Sequence, residues 1–142
     1  MVNISENKMI VSTAKNKLRY TPSFCAQFWH SEDLKQIALY AKENKCFESL
    51  NQARKNIDNV YLTNRLIVEI GTKEKGNPFI KFLRFRPKNC GVAITKNDYE
   101  KVRELVVTSS NKKQNPLDFA MKQIIRLGSD VPNNNLFCRL FK

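Results

Sequence analysis

Between Lys73 and Lys88 the chain reads KEKGNPFIKFLRFRPK, in which six basic side chains stand against the single acid Glu74. Lys73, Lys75, Lys81, Arg84, Arg86 and Lys88 carry the charge, and Phe79, Phe82 and Phe85 are set among them. Lysine and arginine neutralise phosphates and release counterions, a source of affinity that ignores base sequence. Aromatic rings are more selective: each stacks on an unpaired base for about 1–3 kcal/mol, and a base inside a duplex cannot offer its face. Cations interleaved with rings on an exposed strand therefore point to single-stranded nucleic acid as the partner. The candidate contact residues are Lys73, Lys75, Lys81, Phe82, Arg84, Phe85, Arg86 and Lys88. The three phenylalanines also have a plainer reading, because one face of a sheet must be buried and they would fill it well; at least one or two of them are expected in the core.

Alternate residues of an extended strand share a face. Lys81, Leu83 and Phe85 should then point one way, and Phe82, Arg84 and Arg86 the other. The strand that carries them, 79–86, pairs in prospect with an alternating β-branched run around Leu66, Val68 and Ile70. The segment 73–78 between the two is a turn, in which Gly76 can take positive φ and Pro78 blocks continuation. A hairpin over roughly 65–86 results. A second turn at 87–91 leads to a short third strand at 92–95, and a helix is expected over about 97–106, with Tyr99, Val102, Leu105 and Val106 as its apolar stripe.

The flanks read as helices. Ser31 with Glu32 and Asp33 opens one, along which Leu34, Ile37, Ala38 and Ala41 recur at helical spacing. Phe47, Leu50, Ala53 and Ile57 share a face of a second. A further helix runs from about Pro116 to Leu127, started by its proline and stopped by Gly128, with Phe119, Ile124 and Leu127 buried. Leu136 to Phe141 forms either a last strand or a clip onto a partner. Short β-leaning pieces lie at 8–13 and 16–20, ahead of an aromatic cluster of Phe24, Phe28 and Trp29. The expected class is α+β: a twisted antiparallel sheet with a following helix, plus additional N- and C-terminal helices. The 142 residues suit one domain, with a helical N-terminal extension (1–60), a sheet-and-helix block (61–108) and a C-terminal helix and tail (109–142).

Charge agrees with a polyanionic partner. Twenty-five Lys and Arg against thirteen Asp and Glu give +12, with twelve basic and five acidic residues concentrated in 65–113. Such an excess opposes compaction until a polyanion relieves it. Anionic lipid, an acidic protein and simple solubility are weaker explanations of the same charge. No run is apolar enough to cross a bilayer, and the N-terminus lacks a secretory pattern. Without that pattern, Cys25, Cys46, Cys90 and Cys138 read as reduced thiols in an intracellular setting, nucleus or virion. They and the single His30 have no metal-site spacing.

The block at 61–108 resembles the positive-cofactor-four family of transcriptional coactivators. The resemblance rests on the strand LIVEI, the basic turn KEKGN, the strand FIKFLRFR, the turn and strand CGVAIT, and the segment NDYEKVREL with its aromatic Tyr99. It implies a sheet followed by one helix, homodimers paired through that helix, and a groove for single-stranded DNA, with RNA possible, near Lys73, Lys75, Lys81, Arg84, Arg86 and Lys88. A role in transcription or genome maintenance follows from the same likeness, and the Asn- and Lys-rich composition fits a viral relative. No cofactor is expected. Nor is catalysis: Cys25 and His30 lie in no protease signature, and the chain has no glycine-rich phosphate loop. The alternative is a self-assembling structural or genome-packaging protein of viral nucleocapsid type, which would use Phe24–Trp29 and the aromatic tail as contact surfaces. Its mark would be large polymers that form without nucleic acid.

Overall fold

The computed structural model describes residues 28, 31–58, 64–89 and 95–142. The order of elements is α1 (Glu32–Glu43), α2 (Phe47–Asp58), β1 (Arg65–Thr72), β2 (Pro78–Pro87), a short 3-10 turn (Lys96–Asp98), β3 (Tyr99–Thr108), α3 (Pro116–Leu127) and α4 (Asn135–Phe141). The three strands form one antiparallel sheet in the order β1-β2-β3. The molecule is thus α+β, with helices before and after the sheet.

Helices α1, α3 and α4 each start where a side chain satisfies the first free amides. Ser31 Oγ accepts from the Leu34 N–H at 3.1 Å, and Glu32 and Asp33 sit at the positive end of the α1 dipole. Asp33 also reaches across to β1, accepting from the Ile70 N–H at 3.0 Å. Asn115 caps α3 by accepting from Leu117 N–H, and Pro116 follows where no amide is needed. Asn134 caps α4 through Phe137 N–H at 2.7 Å.

One face of the sheet is covered by these helices. Leu66, Val68, Ile80 and Phe82 point into the core and are at most 1% exposed. They meet α3, whose Phe119, Ala120, Met121, Ile124 and Leu127 are buried, and the core also takes in Leu34, Ile37, Leu50 and Ile57 from α1 and α2. Burying each such side chain contributes about 1.5–3 kcal/mol. Phe28 joins the same core and bridges in parallel to Leu66. Tyr40 donates to Asp118 and Lys122 pairs with the same carboxylate at 2.9 Å, tying α1 to α3. The Lys122 hydrogen bond, opposed by partial burial, holds the Asp118 carboxyl below its ordinary range.

Two sequence expectations change. The segment 97–106 is not a helix: after the 3-10 turn, Tyr99–Thr108 is the third strand. Its register explains the helical look. Arg84 pairs with Arg103 but Phe85 with Lys101, so Val102 is an extra residue, a β-bulge. The bulge shifts the alternation by one, and Lys101 and Glu104, three apart, come to share a face and pair at 3.1 Å. The resemblance to the coactivator family therefore loses its NDYEKVREL helix, and the helix that follows the sheet is α3. Residues 136–141 are neither a strand nor an extended clip. They belong to α4, whose Leu136, Phe137, Leu140 and Phe141 are buried on the chain's own core, so the tail is not an open contact surface. The expected strand at 92–95 lies outside the described residues except for Thr95, as do the pieces at 8–20, Phe24, Trp29, His30, Cys25 and Cys90.

Candidate nucleic-acid interface

The hairpin falls where expected, and its pairing register sorts the candidate residues onto two faces. Phe82 is fully buried against the helices. Arg84 shares its face. Its Nε donates to Leu140 C=O at 2.9 Å and its guanidinium to Asn64 Oδ1 at 2.7 Å, while the group lies 5.4 Å from the Phe141 ring centre. Arg84 is a bracket between sheet and α4, with its donors directed inward. Arg103, its partner across the β2–β3 ladder, likewise donates to Arg139 C=O at 3.0 Å.

The face turned away from the helices carries Lys81 at its centre. Lys81 stands between two carboxylates on the flanking strands, Glu69 at 3.8 Å and Glu104 at 4.0 Å. Glu104 also takes a hydrogen bond from Lys101, and that bond, with the charges of Lys101 and Lys81, keeps its carboxyl below the usual range. Phe79 lies over Gly71, where a methyl group would touch its ring at 3.0 Å, and Lys73 Nζ sits 5.3 Å from the ring centre. Arg86 pairs with Glu100 at 2.9 Å. Phe85 and Tyr99 are half-buried near the far end of the strands, where the Arg65 guanidinium stands over Tyr99 at 5.7 Å.

What is left unpaired lies at the sheet's ends. Lys73 and Lys75 in the β1–β2 turn, and Lys88 after β2, are exposed, and no carboxylate among the described residues comes within ion-pair distance of them. The structure thus brings Lys73 and Lys75 together, sets Lys88 at the opposite end, gives carboxylate partners to Lys81 and Arg86, and turns Phe82 and Arg84 to the helices. The turn is firm: Lys73 N–H donates to Asn77 C=O and Gly76 N–H to Lys73 C=O, each at 2.8 Å. Gly76 has φ +92 with open space around it. Gly76→Ala should therefore cost about 1 kcal/mol through backbone strain alone, read as a small drop in the unfolding midpoint.

Lys112 and Lys113 carry no sequence signal beyond their charge, yet β3 returns the chain to the same end as Lys73 and Lys75. Reading 99–108 as a strand would have placed them there, since an antiparallel third strand must finish beside Pro78. Among the described residues no helix is long and apolar enough to cross a membrane. No group of three or more His, Cys, Asp or Glu is placed to hold a metal ion among them either. No family model, curated protein or solved structure matches this chain.

The bracket role of Arg84 is testable. Arg84→Ala should destabilise the fold by about 2–3 kcal/mol, because the buried Asn64 and the Leu140 carbonyl lose a charged donor. Urea unfolding should show a lower midpoint at unchanged slope. A wild-type midpoint would contradict the bracket.

Proposed function

We propose that this chain is a non-catalytic nucleic-acid-binding protein that holds phosphates electrostatically and favours single strands. One observation carries the reading: Lys73, Lys75 and Lys88 stand exposed and, among the described residues, free of carboxylates on a chain of net charge +12, while the cations nearer the middle of the hairpin are committed within the molecule. Unpaired surface lysines are the groups that release counterions when they meet phosphates. The preference for single strands has narrower support. Phe82 is core, Phe79 lies between Gly71 and Lys73, and Tyr99 carries the Arg65 guanidinium over its ring, so the preference rests on the interleaving of rings and cations in the sequence more than on a ring held open in the sheet.

The test is a gel-shift panel of single-stranded DNA, duplex DNA and RNA at two salt concentrations, with wild type and the Lys73→Ala, Lys75→Ala, Lys88→Ala triple variant. For a single strand the log–log salt slope should flatten by about 2 in the variant, at roughly 0.7 per phosphate contact. No binding by wild type in any arm, or a variant with the wild-type slope, would overturn the proposal. Duplex binding as tight as single-strand binding would remove the stacking component and leave the phosphate component standing.

A further inference from the structure

The β1–β2 turn and the loop between β3 and α3 are two separate stretches of sequence, and the fold joins them at one end of the sheet. Asn77 Nδ2 donates to Ser109 C=O at 2.9 Å, and Ser109 N–H donates to Pro78 C=O at 2.8 Å. Ser109 is buried, and its hydroxyl donates to Gln114 Oε1 at 2.9 Å while accepting from Asn111 N–H at 3.1 Å. Asn111 in turn accepts from Lys113 N–H through its side chain at 3.0 Å and from Gln114 N–H through its carbonyl at 3.2 Å. Both loops are therefore stiff, and each is pinned to the other.

Cations outnumber acids four to one among the charged side chains that these loops present. Lys73, Lys75, Lys112 and Lys113 are all exposed, and Glu74 is the single acid in the two segments 73–77 and 109–115. The next carboxylate in the chain after the loop, Asp118, is occupied by Lys122, Tyr40 and Gln114. An open hollow of about 440 Å³ lies at this end, lined by Lys73, Glu74, Lys75, Asn77 and Thr108.

We infer that the turn and the loop form a single phosphate clamp, in which Lys73 and Lys75 from one side and Lys112 and Lys113 from the other hold successive phosphates of a polyanion. Like charges gathered at one end of the sheet on pinned backbones repel, and a polyanion that meets them removes that repulsion without having to order the loops first. The inference rests on the nucleic-acid reading for the identity of the polyanion. A lipid headgroup offers the same chemistry, but binding to a bilayer draws on apolar side chains inserted beside the cations. Among the described residues the one exposed large hydrophobic is Leu39, on α1, and the clamp has none.

The experiment measures binding of the full chain to a short oligothymidylate, to linear inorganic polyphosphate and to vesicles containing phosphatidylserine, across a range of salt. Wild type is compared with a loop variant (Lys112→Ala, Lys113→Ala) and a turn variant (Lys73→Ala, Lys75→Ala), each checked for fold by circular dichroism. The expected result is that each variant flattens the oligothymidylate salt slope by about 1.4, and that amide resonances of both 73–77 and 109–114 shift together on titration. If the loop variant binds oligothymidylate with wild-type affinity and slope, the clamp is overturned while the nucleic-acid reading survives. If polyphosphate binds through all four lysines and oligothymidylate does not bind at all, the clamp stands and the nucleic-acid reading fails. Tighter binding to the vesicles than to either polyanion would overturn the assignment of a soluble polyanion to the clamp.

Discussion

Gly128→Ala should lower the thermal midpoint by about 10 °C, the largest effect expected of a methyl group added at any of the described glycines. A β-carbon there would lie 2.2 Å from the Ala53 carbonyl oxygen and 2.5–2.6 Å from its carbonyl carbon and Cα. All three are backbone atoms of α2, so no side chain can rotate away; α2 and α3 would have to separate. Gly128 ends α3 with φ −89, an ordinary right-handed value, so its role at the helix end is close approach and not left-handed backbone. Asn56 reinforces the contact by donating to Gly128 C=O at 3.0 Å. Overpacking of this kind costs about 3 kcal/mol when relief requires backbone movement. Gly76→Ala is the internal comparison, strained in φ but with empty space around it. If thermal denaturation gave Gly128→Ala a wild-type midpoint, the tight α2–α3 crossing would be wrong.

The second large effect concerns a residue nominated from sequence for base stacking. Phe82→Ala should destabilise the protein by about 3–5 kcal/mol, since the ring is fully buried between sheet and helices and its removal leaves a cavity. The folded fraction should bind oligonucleotide as wild type does. Chemical denaturation and a binding isotherm under strongly native conditions separate the two quantities. A variant that keeps its stability yet loses single-strand affinity would show that Phe82 meets bases after all, and the register of β2 would then need to be inverted.

Much of the architecture was legible in local pattern. The capping serine of α1, the apolar spacing of α2, the Pro116-to-Gly128 bounds of α3 and the hairpin with Gly76 in its turn all follow from a few neighbouring residues each. The misread element, 99–108, failed for a reason that is itself local in structure but not in sequence. A bulge at Val102 can be recognised only against its partner strand, and without that strand Tyr99, Val102, Leu105 and Val106 keep a helical period. The same applies to the tail, which becomes a helix on the core because Phe137 and Phe141 stack at 4.5 Å and find an apolar face waiting.

The candidate interface divides along the same line. Composition and order alone determined that this chain is strongly cationic, that the excess is concentrated around a hairpin, and that rings are interleaved with it. Only the tertiary structure decided which of those cations are free. Charge is a property of a residue, but its availability depends on what lies within a few ångströms, and in a sheet those neighbours come from other strands. Lys81 meets Glu69 and Glu104 across β1 and β3, Arg84 meets the end of α4, and the turn that carries Lys73 and Lys75 is pinned through Asn77 to a loop that begins more than thirty residues later in the chain.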